Sequence, residues 1–419
     1  MMRKIIEYLR RKQNITIEDL VVEICSSTMY YKYLSKEKNL SSKNLKLIKE
    51  RLGADDLTKE EIVEYKRDID KVTNNILRYY ISKDAFTKDI DPLIEMEAQL
   101  LLTEELCIDY IISKVNYLLL TNDIDEINKL LTLVEEFIPV MNVTQRLFYY
   151  QLKIFYLNYK REDIKDILNE FAILLENNKY NKEYGKFHMS IALAYLKVKD
   201  REHALHSIET ALSLFTRDLN LIGQVKATNM KAFMMGESRR YEEALELFLN
   251  SYNSAKQINF TYEMFVALTN IISCYFGLKD LENVKKYWVF FQKHLRKESC
   301  QKIKEYILNN TAINLFTNFE YYDMKEQLQE LVQLLNDYNV TNNITLESLI
   351  KYYNIQDDGE KVKYIEDVFL PLVTGKAHFT YCLSCLDKCV RYFKENRMYK
   401  KAIDFETKYL EEFKKYYFN

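Results

Sequence analysis

The chain has 419 residues, enough for two or three domains, with only seven glycines and three prolines against 34 tyrosines and 22 phenylalanines. Strand-rich folds need turns that lean on Gly and Pro, so this composition predicts an all-α protein with short connections, and the missing phosphate-cradling glycine motifs exclude the common nucleotide-dependent chemistries. The net charge of −2 is uneven: residues 1–53 hold twelve Lys/Arg against six Asp/Glu, or +6, and the remainder holds 48 against 56, or −8. A basic head on an acidic body predicts that the head alone meets a polyanion.

Helical patterns open the chain at Arg3–Lys12, Ile17–Ile24, Ser27–Leu34 and Ser42–Leu52, with a further helix from Thr58. Thr16 and Ser26 are placed to cap the second and third helices, and Leu9, Leu20, Ile24, Leu34, Leu45, Ile48 and Leu52 to form a small core. The third helix is unusual because it opens on Ser26, Ser27 and Thr28 and continues with Tyr30, Tyr31 and Lys32, where a core helix would carry aliphatics. Lys36 and Lys38 follow it. This succession, ending in the pair Leu52-Gly53, resembles the helix-turn-helix of the lambda-repressor/Cro-like family. The resemblance implies that Ser26, Ser27 and Thr28 meet base edges and phosphates of double-stranded DNA. Tyr30, Tyr31 and Lys32 are expected on the exposed side, and Lys36 and Lys38 beside the DNA backbone; a merely solvated surface helix is the plain alternative.

Beyond residue 100 the sequence repeats itself. Ile124, Ile164, Ala204, Ala244, Val284 and Met324 stand 40 residues apart, each after a polar start, and Val362 and Ala402 continue the series after a two-residue slip. Each unit reads as two antiparallel helices. Ile191, Ala192 and Tyr195 mark one helix, and Ala204, Ile208 and Ala211 the next, with small residues that allow close approach. The set resembles the tetratricopeptide (TPR) signature, with a period lengthened to about 40 residues. It implies a right-handed TPR-like α-solenoid with a groove for peptides or partner helices. The expected domains are a helix-turn-helix at 1–57, a linker helix and degenerate first repeat at 58–100, and a repeat domain for peptide binding and dimerisation at 101–419.

Helix-turn-helix plus degenerate repeats looks like the RRNPP group, the peptide-sensing regulators of low-GC Gram-positive bacteria that include Rap, Rgg, NprR, PlcR and PrgX. The CSSTMYYKYLS region looks nearest to the clostridial RstA regulators. The resemblance implies a cytoplasmic homodimer whose repeats bind a short signalling peptide and thereby alter DNA binding, as in quorum sensing. The competing reading is a protein-interaction scaffold, or a Rap-like inhibitor of a response regulator without DNA binding. In TPR repeats the first helix of each unit faces the groove at fixed offsets. At those offsets stand Tyr149, Asn229, Thr269 and Asn309; Arg146, Lys186 and Lys226; and Phe233. Carboxamides at Asn229 and Asn309 match both backbone donors and acceptors, and the basic residues suit a peptide carboxylate. Two repeats span about 20 Å, which fits an extended ligand of roughly five to eight residues.

Other clusters carry less. His378, Cys382, Cys385 and Cys389 share one helical face, but they span more than ~15 Å and cannot close on one tetrahedral metal. Core packing is the expectation there, and an exposed helical face for Glu202, His203 and His206. No nucleophile–base pair stands out, so a non-enzyme without metal or cofactor is expected. Seven cysteines, a charged N-terminal stretch and the lack of any apolar run near ~18 residues point to a reduced, cytoplasmic, soluble protein.

Overall fold

The structure, a computed structural model, describes residues 2–79, 83–121, 123–160, 162–178, 184–299, 301–317, 325–340, 349–350, 358–372 and 379–417. All regular secondary structure among them is helical. The chain forms two compact units, Met1–Asp218 and Leu219–Asn419.

The first unit begins with α1 (Met2–Lys12), α2 (Ile17–Val21), α3 (Ser27–Leu34) and α4 (Ser42–Arg51). The expected caps are present: Thr16 Oγ1 accepts from Asp19 N at 3.1 Å and Ser26 Oγ from Met29 N at 3.2 Å. Helix α2 is three residues shorter than its apolar pattern, because the chain turns at Glu23 with φ of 62°. The α2 end is held from outside. The Arg51 guanidinium donates to the carbonyls of Val22 at 2.6 Å and Leu20 at 3.2 Å, which would otherwise lack partners at a helix end. Leu9, Leu20, Ile48 and Leu52 are buried as expected, while Ile24, Leu34 and Leu45 are half-buried. Tyr30 and Tyr33 complete this core, with the Arg3 guanidinium 4.7 Å above the Tyr33 ring.

After α5 (Lys59–Tyr79) come α6 (Lys83–Glu95), α7 (Glu97–Leu102), α8 (Glu104–Thr121) and α9 (Ile124–Glu135). Then follow α10 (Val143–Lys160), α11 (Lys165–Glu176), α12 (Tyr184–Lys197) and α13 (Arg201–Arg217). One hydrophobic cluster runs from Ile5 to Ala194 without a break between the N-terminal helices and the repeats.

The second unit holds α14 (Leu221–Glu237), α15 (Tyr241–Gln257), α16 (Thr261–Gly277), α17 (Leu281–Lys297), α18 (Gln301–Thr317) and α19 (Lys325–Asp337). The chain continues through Asp358–Tyr364 and a π-helical turn to the helices Phe379–Glu395 and Tyr399–Tyr417.

The 40-residue rhythm is the rhythm of the fold. Ala204, Ala244 and Ala402 are 0 % exposed and Ile164, Val284 and Val362 are buried, whereas Ile124 is half-buried at a helix start and Met324 lies outside the described residues. A small side chain at the anchor lets the second helix of each pair approach the first. Within that rhythm the turns recur every 20 residues. Lys199, Arg239, Asn259 and Lys279 all take positive φ, between 55° and 65°. Each is followed by an amide that reaches back five residues, as from Asp200 N to Tyr195 O at 2.9 Å and Asp280 N to Tyr275 O at 2.9 Å. This is the Schellman stop, made here without glycine. The chain thus forms tight helical hairpins with very little Gly. No helix among the described residues is long and apolar enough to cross a membrane.

Candidate functional site

Two surfaces correspond to the residues singled out from the sequence. The first is the outer side of α3. Thr28, Tyr31, Lys32, Lys36 and Lys38 are exposed, Tyr31 by 54 %, and Ser27 is half-buried. The four basic or aromatic side chains Tyr31, Lys32, Lys36 and Lys38 make no ion pair with any described residue. Ser26 is exposed but occupied as the N-cap. Tyr30 does not belong to this surface. It is 0 % exposed, and its hydroxyl donates to Glu7 Oε1 at 2.8 Å, where Arg10 Nη2 also binds the carboxylate at 2.9 Å. Burial and the Glu7 bond push the Tyr30 hydroxyl well above its ordinary pKa. The reason is helical phase: Tyr30 and Tyr33 lie one turn apart and face α1, whereas Tyr31 is rotated by about 100°.

The second set of residues lies on the first helices of the repeats, taken here unit by unit. In the first unit Tyr149 is buried, while Arg146 and Lys186 are half-buried on α10 and α12. One position further on, Tyr150 donates to Glu170 Oε2 at 2.8 Å, and Gln151 Nε2 donates to Ser190 Oγ at 2.6 Å.

In the second unit Asn229 is 4 % exposed and faces α16 rather than a groove. Its Nδ2 donates to Glu263 Oε2 at 2.7 Å and to the Glu263 carbonyl at 3.3 Å, leaving Asn229 Oδ1 buried without a partner. Burial raises the Glu263 pKa, against the opposing effects of the Asn229 bond and of Lys226. Thr269 is also buried, its Oγ1 3.1 Å from Thr311 Oγ1 on α18. Asn229 thus turns its carboxamide to α16, whereas Thr269 and its partner Thr311 line the adjoining cleft. Lys226 is half-buried with its ammonium 5.4 Å from the Phe260 ring, and Asn309 is half-buried on α18. Phe233 is 39 % exposed.

Beside these residues lies a cleft of about 200 Å³ between α14, α16 and α18. Phe233, Val266 and Ile307 give it apolar walls, and Asn270, Asn310 and Asn314 give it carboxamides. Each asparagine is held. Asn270 Nδ2 donates to Val266 O at 2.8 Å, Asn310 Nδ2 to Tyr306 O at 2.8 Å, and Asn314 Nδ2 to Asn270 Oδ1 at 2.9 Å. The bonds back to the preceding turn fix the side chains and leave Asn310 Oδ1 as a pre-oriented acceptor. A second N–H on Asn270 and on Asn310 remains as a donor. The Tyr262 and Tyr306 rings, 5.1 Å apart, stand at the same end of α16 and α18. The sequence carried a signal for this ladder. Asn270 and Asn310 share the 40-residue spacing one position after the offset chosen, and Asn314 lies one turn on.

The remaining clusters behave as packing or surface. Cys382, Cys385 and Cys389 are buried in the second core, where burial pushes the Cys389 thiol up to about 12; His378 lies outside the described residues. Glu202, His203 and His206 are exposed. His203 Nδ1 sits 2.8 Å from Asp200 Oδ2, which raises its pKa.

The sequence matches no protein-family model and no curated protein. Its structure does match solved ones. A Rap protein complexed with Competence and Sporulation Factor is 14 % identical, with a TM-score of 0.53, over 85 % of this chain and 99 % of that one. The quorum sensor NprR from B. thuringiensis in its apo form is 16 % identical, with a TM-score of 0.50, over 83 % and 98 %. NprR in complex with its cognate peptide NprX is 18 % identical, with a TM-score of 0.50, over 84 % and 100 %. The chain therefore has the helical-repeat fold of Rap and NprR along most of its length.

Proposed function

We propose that this protein is a peptide-sensing transcription regulator. The second-unit cleft takes an extended peptide, and the α3 surface engages DNA. The observation that carries the reading is the set of fixed carboxamides, Asn270, Asn310 and Asn314, beside apolar walls. A carboxamide can both donate to and accept from a peptide backbone, and the apolar wall accepts a side chain between those bonds. The fold supports the reading, since NprR with this architecture is known in complex with a peptide. On the α3 side, Tyr31, Lys32, Lys36 and Lys38 supply exposed aromatic and basic groups on a segment of net charge +6. DNA recognition by paired half-sites further implies a homodimer.

A second reading has the N-terminal helices docking a protein, such as a response regulator, instead of DNA. The unbroken core from Ile5 to Ala194 favours it, because a head fused to its repeats presents one combined surface. Selection of random octapeptides on the immobilised full chain tests the peptide assignment. Enriched peptides are expected to lose affinity in Asn310→Ala, and enrichment of none, or of peptides indifferent to that change, removes the cleft from the mechanism. A salt titration separates DNA from protein docking. Contact with roughly 6–10 phosphates loses about 10³–10⁵ in DNA affinity between 50 and 200 mM salt. Failure to bind duplex DNA at 50 mM salt would leave the docking reading standing.

A further inference from the structure

Helix α1 has two faces. Ile5, Ile6 and Leu9 enter the apolar core at 0–1 % exposure. On another face Lys4, Tyr8 and Lys12 recur at i, i+4 and i+8, and all three reach residues far along the chain. Lys4 pairs with Glu136, the Tyr8 hydroxyl donates to Glu126, and the Lys12 ammonium lies 2.8 Å from Glu97 Oε2 and 2.9 Å from Glu126 Oε1. Behind them sits Lys114 on α8, with a side chain only 5 % exposed, paired to Glu97 and 3.8 Å from Glu126. Two carboxylates thus share two ammonium groups, and the whole set lies between α1, α7, α8 and α9. Lys12 is the outermost of these four charges, with 36 % of its side chain exposed against 14 % for each glutamate, and Lys129 flanks Glu126 from the solvent side at 3.6 Å.

We infer that this four-charge cluster is a latch that holds the N-terminal helices on α7–α9, and that Lys12 is the group that closes it. The inference stands apart from whether the head binds DNA or protein. Its physical basis is charge balance. With Lys12 in place the two carboxylates and the two ammonium groups between these helices sum to zero. Without it the carboxylates keep one buried ammonium, Lys114, while the Lys129 ammonium, 3.6 Å from Glu126 Oε2, is 65 % exposed and screened by water. The two carboxylates then repel each other in a poorly solvated setting. Lifting of α1 admits the water that relieves that repulsion. An aliphatic stripe at positions 4, 8 and 12 would give a permanent joint, whereas a balanced charge cluster gives one that opens when a single charge is lost or captured. The Lys49 ammonium on the Leu102 carbonyl at 3.1 Å and the Gln99 carboxamide on Asp55 N at 2.7 Å tether the far end of the head, so opening is a swing of α1–α3 and not a release.

The test is hydrogen exchange on the full chain, resolved by peptide. In Lys12→Met, amides of α1–α3 are expected to exchange at least about tenfold faster than in the native chain, with α13 unchanged as the internal control. Lys12→Met combined with Glu126→Gln restores balance and is expected to bring protection of α1–α3 back. A packing role for Lys12 alone would make the two changes additive and give no rescue. Unchanged exchange of α1–α3 in Lys12→Met, or a double variant no better protected than the single, overturns the inference. If Lys12→Met does not fold, a folded double variant supports the latch and an unfolded one overturns it.

Discussion

Glu263 offers a sharp test of the second unit. The residue is 7 % exposed, its carboxylate accepts from Asn229 Nδ2, and Asn229 Oδ1 is buried without a partner. Glu263→Gln keeps the shape, still accepts from Asn229 Nδ2, and adds an N–H that can reach the orphaned Oδ1. One new neutral hydrogen bond contributes about 1 kcal/mol, and relief of a buried charge adds to it. For a unit of some 200 residues, about 1 kcal/mol corresponds to roughly 2–4 °C in Tm. The pH dependence fixes the cause. Burial raises the Glu263 pKa, so the folded chain holds this proton to higher pH than the unfolded chain does. Stability from this site is then greatest below the ordinary carboxylate pKa and falls as pH climbs from there to the folded value. A protonated Glu263 can itself donate to Asn229 Oδ1, which makes native chain and variant equivalent in acid. Calorimetric melts are therefore expected to coincide near pH 4 and to separate, variant higher, by pH 7. A variant that melts lower at pH 7, or a gap that widens toward acid, would refute this account of the pair.

Other substitutions separate the roles of neighbours. Tyr31→Ala and Lys32→Ala are expected to weaken DNA binding in fluorescence anisotropy while leaving the melting temperature within about 1 °C. Tyr30→Phe, one residue earlier, should instead lower stability by about 1–2 kcal/mol through loss of the Glu7 bond, measured by urea unfolding. Asn229→Ala should destabilise by about 1–3 kcal/mol because it strips Glu263 of its donor, whereas Asn310→Ala should leave urea unfolding unchanged and weaken a selected peptide roughly tenfold in calorimetry.

The repeat was legible because the constraint behind it is local and strict. A helix pair needs a small or short side chain where it crosses, and that need returns every 40 residues at Ala204, Ala244 and Val284. The caps Thr16 and Ser26 were legible for the same reason, since a helix start leaves its first amides unpaired. Rotational phase was not. Asn229 and Asn270 differ by one step beyond the 40-residue spacing, yet one is sealed against α16 and the other lines the cleft. A first helix in such an array packs on two neighbours, so its apolar arc is wide and its edge cannot be read to one residue. Tyr30 and Tyr31 illustrate this on a shorter helix. The cluster of Lys12, Glu97, Lys114 and Glu126 was invisible for another reason. Its members are scattered over more than a hundred residues, and nothing local distinguishes them from solvated charges.

The most direct test of a peptide-sensing DNA regulator is to map chromosomal occupancy of the native chain and of Asn310→Ala, each with and without a peptide selected on the native protein. The account predicts a discrete set of sites whose occupancy the peptide changes in the native chain and leaves unaltered in Asn310→Ala. Occupancy no higher than background, or a peptide response of equal size in the variant, would contradict it.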